Sequence, residues 1–479
     1  MTPRNRHLTP VLLLGALGLA HGASAAEAPP SYVAEPCCQL CPQAAAPQAY
    51  ASGYLQAFRT LHAGRGDWLF RSELDLNTQF GTTATGWSQL KTLHDALQAK
   101  GVELLVVYMP TRGLVDRNQL DERERASFDY DKARRSYLAT LERFRSLGIH
   151  APDLSPLFDG AIGSPFFFAG DHHWTPEGSR RSAQIVAEAI RRLPVYARIT
   201  REHPAQAFET HRAGLLPKYG SLNRAAERIC GGSYAPLYFT QYQTAPVQAS
   251  DGASQLFDDN QQPDVVLAGT SNSGPAYNFD GFLRQYSGLD VFNVAVDGGN
   301  LEGALLLYTG SAAFHRRPPK LLIWEFATYS DLDQAKTYRQ LLPLVRSDGC
   351  NHAEPLLSQK TRLHAGRNEL LLNRDGRPIT SGRTIADLRF SDPGVRRVEI
   401  TVWYMNGRQE NLKLELPSLA DNGGRFVFSL RDDADWRDHQ VLALDVQPPP
   451  FSGPLEVDAR LCQAPAARVA DSGAPAKRS

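Results

Sequence analysis

Continuous apolar runs in the first part of the chain predict buried strands. They cover residues 103–108, 264–268 and 320–324, and such runs are typical of strands covered on both faces in a parallel sheet. Between the first two runs, residues 130–147 carry apolar side chains at helical spacing, and Gly148 supplies a helix stop. Because strands alternate with helices, we expect an α/β domain with a mainly parallel sheet.

The pattern changes after Cys350. Segments 398–404, 425–430 and 441–446 are short and alternate between apolar and polar residues, with Asn-Gly turn signals between them. This pattern predicts an all-β sandwich of about 110 residues. The predicted domains are therefore residues 27–348 for the α/β domain and 349–463 for the sandwich, followed by a disordered tail at 464–479.

The first 26 residues are predicted to be a secretory signal. Arg4 and Arg6 precede an uncharged run at 8–20, and small residues follow at 21–26. A spanning helix needs about 20 apolar residues, and no later stretch of the sequence reaches that length. An uncleaved anchor is the alternative. We therefore expect an exported protein that does not span the membrane.

Composition narrows the choice of partners. The chain has 479 residues and equal numbers of basic and acidic residues, 51 of each. Because no net charge attracts a polyanion or a bilayer surface, we expect no nucleic-acid partner, and any anionic polymer must be held by a local patch.

Six cysteines in an exported protein favour disulfides over metal ligands. Cys350 and Cys462 bracket the predicted sandwich, which favours a bond between them, and Cys41 with Cys230 is the next pairing. The pairing of Cys37 and Cys38 stays open. A zinc site at 37, 38 and 41 would lack a second cluster of ligands.

A serine follows the predicted strand at 264–268. Segment 269–273 reads Gly-Thr-Ser-Asn-Ser and stands at the carboxyl end of that strand, where α/β folds place ligands. Ser271 is the predicted nucleophile, with backbone N–H groups available for an oxyanion, and Ser273 is the less suitable choice. A simple turn with locally bonded hydroxyl groups is the alternative.

A second motif places an aspartate and two histidines before a helix. Segment 170–174 reads Gly-Asp-His-His-Trp, and Thr175 with Pro176 forms a helix start that would fix the loop. Asp171 can orient the His173 imidazole while the other ring nitrogen takes a proton from Ser271. The alternatives are surface histidines or a metal site. The crowded spacing disfavours the latter, so we predict no metal.

At this point the sequence resembles the AlgX family of periplasmic alginate O-acetyltransferases. The resemblance covers essentially the whole mature chain and is carried by the motifs at 67–70, 107–113, 170–176, 269–278, 323–328 and 403–408. It implies an SGNH-hydrolase-like domain, a C-terminal carbohydrate-binding module and a periplasmic location. It also implies acetyl transfer to mannuronate residues without a cofactor.

The resemblance also assigns roles. It implies Ser271 as nucleophile, His173 as general base, Asp171 as the residue that orients it, and Tyr277 near the oxyanion or substrate. Its disulfides correspond to Cys41–Cys230 and Cys350–Cys462. Its partners would be alginate and other acetylation and secretion-complex proteins. Two basic positions of the family's module correspond here to Glu399 and Gln409.

The predicted module has an uneven charge. Residues 360–408 hold 10 basic and 5 acidic residues, a net of +5, whereas residues 409–462 hold 5 basic and 10 acidic residues, a net of −5. Because the polymer carries a carboxylate on each sugar, we predict that Trp403 and four arginines line part of its path. These arginines are Arg383, Arg396, Arg397 and Arg408. The alternative is a core Trp403 with solvated arginines.

Arg112 follows a predicted strand end and is a further candidate for contact with the oxyanion or substrate. The alternative for Arg112 is a structural salt bridge. Two other functions remain open: a secreted acetylesterase that uses the same triad, and a secretion-complex scaffold with an inactive triad.

Overall fold

The computed structural model describes residues 38–158, 165–247, 263–417 and 419–465. The predicted secretory signal, Cys37 and all but the first two residues of the predicted tail lie outside these ranges. Within them, no helix has the length and apolar character needed to cross a membrane.

The described residues form short and long strands in both halves of the chain. In chain order they are β1 (Leu61–Ala63), β2 (Leu69–Arg71), β3 (Glu103–Met109), β4 (Phe208–Lys218), β5 (Leu237–Pro246), β6 (Val265–Ala268), β7 (Val291–Asn293), β8 (Leu321–Ala327), β9 (Pro355–Arg362), β10 (Asn368–Leu372), β11 (Thr384–Phe390), β12 (Arg397–Tyr404), β13 (Gln409–Glu415), β14 (Arg425–Ser429), β15 (Val441–Gln447) and β16 (Glu456–Gln463).

The α-helices lie between residues 53 and 347. They are α1 (Gly53–Gln56), α2 (Ser72–Asp75), α3 (Ala84–Gln98), α4 (Arg112–Val115), α5 (Glu122–Ser127), α6 (Tyr130–Ser146), α7 (Pro176–Arg191), α8 (Pro194–Glu202), α9 (Ser221–Cys230), α10 (Phe279–Ser287), α11 (Gly303–Thr309), α12 (Ala312–Arg316) and α13 (Ala335–Ser347).

A four-stranded parallel sheet forms the centre of the first half. Its order is β3-β8-β6-β7, and every pair is parallel. The predicted strands at 103–108, 264–268 and 320–324 are the first three of these, and β6 and β8 are buried along their whole length. The predicted α/β fold with a mainly parallel sheet is confirmed. The carboxyl ends of β3, β6 and β8 lie along one edge of this sheet.

The second half is a sandwich of two antiparallel sheets. Their orders are β10-β15-β12-β13 and β14-β11-β16-β9. Within β12, Val398, Ile400 and Val402 are buried in the core, and Trp403 is on the opposite face of the strand. The predicted all-β sandwich is confirmed.

Both predicted disulfide pairings are present. Cys41–Cys230 joins the first described residues to the end of α9, and Cys350–Cys462 joins the start of the sandwich to β16. Cys38 is also disulfide-bonded. The chain turns just before the second bond, where Asp348 and Gly349 have φ angles of 55° and 62°. The predicted domain boundary at 348–349 stays a prediction.

One feature is absent from the sequence prediction. Strands β4 and β5 form a separate two-stranded antiparallel ribbon, with α9 inserted between them. Much of β4 is exposed, and its polar and apolar residues do not alternate cleanly. The last residue of β4, Lys218, reaches the site described next.

Candidate active site

Ser271 begins a 3-10 turn directly after β6. The turn, Ser271–Ser273, is capped by the Thr270 hydroxyl, which accepts from the Asn272 N–H at 3.2 Å. This cap uses the Asn272 N–H, and the Ser273 N–H donates to the Thr270 carbonyl at 3.0 Å, so the Ser271 N–H is the donor of the turn that these bonds leave for a ligand. Ser271 itself is half-buried. A hydroxyl and a backbone N–H donor therefore meet at the carboxyl end of a central strand.

A buried carboxylate on the neighbouring strand β8 fixes this turn. Glu325 accepts hydrogen bonds from the Thr270 N–H and hydroxyl, both at 2.9 Å, and from the Ser273 hydroxyl at 3.0 Å. Burial raises the pKa of Glu325, although these hydrogen bonds oppose the effect. Because the Ser273 hydroxyl is fully buried and already donates to Glu325, Ser271 is the better placed nucleophile of the two.

The Asp-His-His loop ends at α7, as the sequence predicts. The Thr175 hydroxyl accepts from the Gly178 N–H at 3.0 Å, and Pro176 is the first helical residue. Gly170 allows the Asn223 side chain to approach the loop backbone closely, since a Cβ atom at residue 170 would lie 2.0 Å from the Asn223 side-chain oxygen. The loop is therefore fixed at both ends.

Arg112 binds the backbone of the Asp-His-His loop. Its guanidinium is fully buried and donates to the carbonyl oxygens of Phe168 and Asp171 at 2.8 and 2.6 Å, and to those of Leu69 and Ala169 at 2.7 and 2.9 Å. The prediction that Arg112 contacts the oxyanion or substrate is therefore corrected. A buried guanidinium that donates to four backbone carbonyls positions the loop instead.

The structure brings Asp171, His173 and Ser271 into one hydrogen-bonded series. Asp171 Oδ1 lies 2.5 Å from His173 Nδ1, and His173 Nε2 lies 2.8 Å from Ser271 Oγ. With Nδ1 protonated toward the carboxylate, Nε2 is the acceptor for the serine proton. This geometry can generate a nucleophilic oxygen at Ser271.

The Asp171 carboxylate stands at the first turn of α9. It accepts from the Ser221 N–H at 2.6 Å and from the His173 N–H at 2.9 Å. Burial alone raises the pKa of Asp171, but the hydrogen bond and charge of His173, with His172 and Lys218, lower it well below its usual value. The N-terminus of α9 adds a favourable dipole for the anion.

The residues next to the serine and the histidine bind each other. The Trp174 N–H donates to Asn272 Oδ1 at 3.2 Å, and the Trp174 indole N–H donates to the Asn272 carbonyl at 2.7 Å. Trp174 is fully buried. The two loops, 98 residues apart in sequence, are thus locked together beside the reacting atoms.

The sequence prediction missed Lys218. Its Nζ lies 2.5 Å from the Tyr277 hydroxyl, 3.3 Å from His173 Nδ1 and 3.4 Å from Asp171 Oδ1. Tyr277 stacks on the His173 ring with centroids 5.3 Å apart, and burial, with the charge of Asp171, raises the pKa of its phenol. No motif surrounds Lys218, so no signal in the sequence identifies it.

The neighbouring histidine, His172, contacts α9 and Phe58. Its Nδ1 is 2.6 Å from the Ser221 hydroxyl, and its ring packs edge-on against Phe58. Burial lowers the pKa of His172 well below its usual value, and the positive charges of His173 and Arg71 act in the same direction. His172 is therefore neutral near pH 7.

Two clusters in the described part of the chain bring carboxylate and imidazole atoms within metal-binding range. In the first, Asp171 with His172 and His173, the Lys218 ammonium already lies against Asp171 and His173. In the second, formed by Glu202, His203 and Asp264, the carboxylates are paired with Lys320 and Arg317. Ammonium and guanidinium groups at these carboxylates oppose a further cation. The absence of a metal stays a prediction.

The predicted polymer-binding residues do not form one patch. Trp403 is half-buried, and its indole N–H donates to Asp445 at 2.8 Å. Arg397 shares the outer face of β12 with Trp403 and pairs with Glu399 at 2.6 Å. Arg408 lies beyond the other end of β12. Because a strand rises about 3.3 Å per residue, the length of β12 separates Arg397 from that end by about 23 Å.

The other two predicted arginines have different surroundings. Arg396 pairs with Asp421 at 3.2 Å, and Arg383 is exposed in the 3-10 turn Ser381–Arg383. Gln409 is directly opposite Trp403 on β13. Arg367, absent from the prediction, lies 5.9 Å from the Trp403 ring. The polymer-binding roles of the predicted residues stay predictions.

Comparison with known proteins gives the class first. Residues 61–328 match the family described as SGNH hydrolase-like domain, acetyltransferase AlgX, and residues 349–474 match a C-terminal carbohydrate-binding module. The parallel-sheet domain is thus an SGNH-hydrolase-like acetyltransferase domain, and the sandwich is a carbohydrate-binding module. Both parts of the predicted fold class are confirmed.

Individual relatives give the family. Alginate biosynthesis protein AlgX of Pseudomonas aeruginosa is 50% identical over 463 residues, which cover 96% of each chain, and AlgX of Azotobacter vinelandii is 44% identical over 487 residues. A solved structure of Pseudomonas aeruginosa AlgX superposes with a TM-score of 0.83 at 49% identity, covering 89% of this chain and 100% of that one. The chain belongs to the AlgX family of alginate biosynthesis proteins.

A more distant relative carries an enzyme name. The probable alginate O-acetylase AlgJ of Pseudomonas putida is 32% identical over 277 residues, which cover 55% of this chain and 68% of AlgJ.

Proposed function

We propose that the chain transfers acetyl groups to mannuronate residues of alginate through an acetyl-serine intermediate on Ser271. In this proposal His173 is the general base and Asp171 holds its imidazole. The observation that carries it is the continuous hydrogen-bonded series from Asp171 Oδ1 through His173 to Ser271 Oγ, at 2.5 and 2.8 Å. The acetyltransferase domain and the relationship to AlgX support the type of reaction and the pathway.

Acylation begins when Ser271 Oγ attacks the acetyl carbonyl carbon and His173 Nε2 takes the hydroxyl proton. The Asp171 carboxylate stabilises the imidazolium that forms. The Ser271 N–H, at the start of the Ser271–Ser273 turn, stabilises the oxyanion. His173 then gives its proton to the leaving group, which departs and leaves an acetyl ester on Ser271.

Deacylation repeats these steps with a sugar hydroxyl. His173 removes the proton from this hydroxyl as its oxygen attacks the acetyl ester, and Ser271 regains a proton when the ester bond breaks. Because water competes for the same carbonyl, transfer requires the sugar to be held at the serine before it reacts.

The C-terminal module supplies a second hold on the polymer in this proposal. Trp403 offers an exposed part of its ring for stacking on sugars, and the predicted arginines Arg383, Arg396, Arg397 and Arg408 offer donors for carboxylates. Two disulfides within the described residues support a periplasmic location. Partners in acetylation and secretion complexes belong to the proposal as well.

The direct test is intact-mass measurement after incubation with an activated acetyl ester. The wild-type chain should gain one acetyl group, located on the peptide that contains Ser271, and should pass it to oligomannuronate. Ser271→Ala should lose both signals, whereas Ser273→Ala should still gain an acetyl group on Ser271. An unchanged transfer rate for Ser271→Ala would remove Ser271 from the mechanism.

Hydrolysis is the competing outcome, because Ser271 lines an open cavity of about 780 Å³ that water can enter. An acetylesterase would release acetate at the same rate with or without oligomannuronate. A transferase should instead produce acetylated oligosaccharide, and its acetate release should fall as the acceptor concentration rises.

A further inference from the structure

The cavity beside Ser271 has a wall that the mechanism above does not use. Its volume, about 780 Å³, is in the range of small-molecule sites. Arg71, His172 and Tyr329 line it together with Ser271. A sugar bound in this cavity with a hydroxyl at the acetyl ester can therefore contact these side chains.

Arg71 is the fixed cation of this wall. It ends β2, and its side chain is only 4% exposed. Its Nε and Nη2 atoms donate to the fully buried Asp75 carboxylate at 3.2 and 2.7 Å, and its guanidinium carbon lies 4.7 Å from the centre of the Tyr329 ring. This double contact holds the guanidinium plane in one orientation.

The ion pair does not use the whole guanidinium. Nη1 takes no part in the bonds to Asp75, and a guanidinium can bind carboxylates along more than one edge. Asp75 is also shared, because Arg112 Nε lies 3.7 Å from the same carboxylate. Burial alone would lower the pKa of the Arg71 guanidinium. The charges and hydrogen bonds of Asp75 and Tyr329 have the larger effect and raise it, so the group stays charged.

The cavity lining also includes two residues with unusual backbone conformations. Gly298 and Asn300 line the cavity with φ angles of 67° and 51°, in the left-handed region. Three acidic side chains also line it: Asp331 and Glu415 are exposed, whereas Glu302 is half-buried, and burial raises its pKa. Two cationic side chains line the cavity, and of these Arg71 is buried whereas Lys336 is exposed.

We propose that Arg71 is a specificity residue that binds a carboxylate of the acceptor polymer in the cavity that Ser271 lines. The inference rests on the proposed function, since it gives that acceptor its place. A buried, oriented guanidinium binds a carboxylate more strongly than an exposed one, and it favours a uronate over a neutral sugar. The site therefore selects its acceptor class before the C-terminal module contributes.

The test compares a charged and a neutral acceptor of the same linkage. Acetyl transfer from an activated ester is measured for oligomannuronate and for neutral β-1,4-mannooligosaccharide, and kcat/KM is obtained for each. Arg71→Met should lower kcat/KM for oligomannuronate at least about tenfold more than for the neutral acceptor, mainly through KM. Arg71→Lys keeps a charge but not the planar fork, and should give a smaller change in the same direction.

Arg59→Met is the matched control, because Arg59 is a half-exposed arginine that pairs with Glu73 at 3.5 Å. It should keep the wild-type ratio of the two acceptors. A wild-type ratio in Arg71→Met would overturn the inference. If Arg71→Met does not fold, an unaltered ratio and KM in Arg71→Lys would overturn it equally.

The two proposals fail in different ways. Absence of an acetyl group on Ser271 in the wild-type chain would contradict the proposed function. An acetylated Ser271 in the wild-type chain, with the same acceptor ratio in the Arg71 variants, would contradict only the inference about Arg71.

Discussion

The loops around Ser271 and the outer face of the sandwich hold their polar side chains in opposite ways. Asp171 is 1% exposed and its partner Lys218 is 17% exposed, whereas Arg397 and its partner Glu399 are 49% and 44% exposed. Several bonds in the first region connect parts of the chain that are distant in sequence, such as His173 with Ser271, 98 residues apart, and Asp171 with Ser221, 50 residues apart. The ion pair of Arg397 joins residues two positions apart.

This difference corresponds to the two tasks that we propose. Proton transfer requires fixed distances, which a buried network of satisfied hydrogen bonds can maintain. A polymer that slides across a surface needs only weak and replaceable contacts, and exposed ion pairs contribute about 0–1 kcal/mol each. Substitutions in the first region should therefore have far larger effects than those in the second.

Asp171→Asn tests the buried region most severely. The amide cannot hold the His173 imidazole in the tautomer that accepts the serine proton, so transfer should fall by about 10⁴-fold. The measurement is kcat for oligomannuronate acetylation. Asp95→Asn, at a half-exposed aspartate paired with Lys91, is the control and should keep wild-type activity. A loss of less than tenfold in Asp171→Asn would contradict the assigned role.

Arg112→Met should have the largest effect on stability. It leaves four buried carbonyl oxygens without their donor and removes a cation beside Asp75, so the free energy of unfolding should fall by about 3–5 kcal/mol. Denaturant unfolding measures this change. Arg65→Met, at a half-exposed arginine, should change it by less than about 1 kcal/mol. Equal stability of the two variants would refute the loop-holding role.

Lys218→Met should have an effect on activity smaller than that of Asp171→Asn. It leaves the Tyr277 hydroxyl and Asp171 without a shared partner, and such a loss costs about 1–3 kcal/mol, or roughly fivefold to 150-fold in kcat/KM. Transfer assays measure the effect, with Lys91→Met as the surface control. Wild-type kcat/KM in Lys218→Met would show that the ammonium is dispensable.

Glu325 gives the same region a dependence on pH. Burial raises the pKa of Glu325 in the folded chain, so the folded state keeps a proton that the unfolded state loses above about pH 4.3. This contribution to stability is full below that pH and declines as pH rises toward the folded pKa. Glu325→Gln cannot titrate there.

The measurement is the difference in unfolding free energy between wild type and Glu325→Gln at several pH values. The difference should move in favour of the variant as pH increases from about 4 to 7. Glu122→Gln, at a strongly exposed glutamate, is the control. A pH-independent difference between wild type and Glu325→Gln would contradict the raised pKa.

The sandwich face should give the smallest effects. Trp403→Ala removes the stacking surface and should weaken alginate binding by about 1 kcal/mol, or roughly fivefold. Arg397→Ala should weaken it less, and this small effect should vanish at high salt. Calorimetric titration with alginate measures both. A larger effect from Arg397 than from Trp403 would reverse the proposed order of contacts on this face.

The sequence predicted the buried parts of the fold well. The apolar runs of β3, β6 and β8 leave no choice of solvent face, so they indicate a parallel sheet directly. Thr175 and Pro176 likewise announce the start of α7, because the cap requires these residue types locally. Ser271 and His173 could be singled out since each stands at such an element end.

Residues that depend on tertiary contact could not be assigned. Lys218 belongs to an exposed strand without a regular pattern, and only the fold brings it to Tyr277. Arg112 was placed at a strand end correctly, but a charge in a sequence does not show whether it faces a cavity or backbone carbonyls. The arginines of the sandwich share a charge, but Arg397 begins β12 and Arg408 lies beyond its other end.

Helix α9 connects a disulfide to the Asp171 carboxylate. Its first residue, Ser221, gives its N–H to Asp171, and its last residue, Cys230, is bonded to Cys41. In a reducing compartment this helix would lose its covalent anchor and hold the carboxylate less firmly. Oxidation of the two thiols would restore that anchor, so the bond between Cys41 and Cys230 helps to hold the Asp171 carboxylate beside His173.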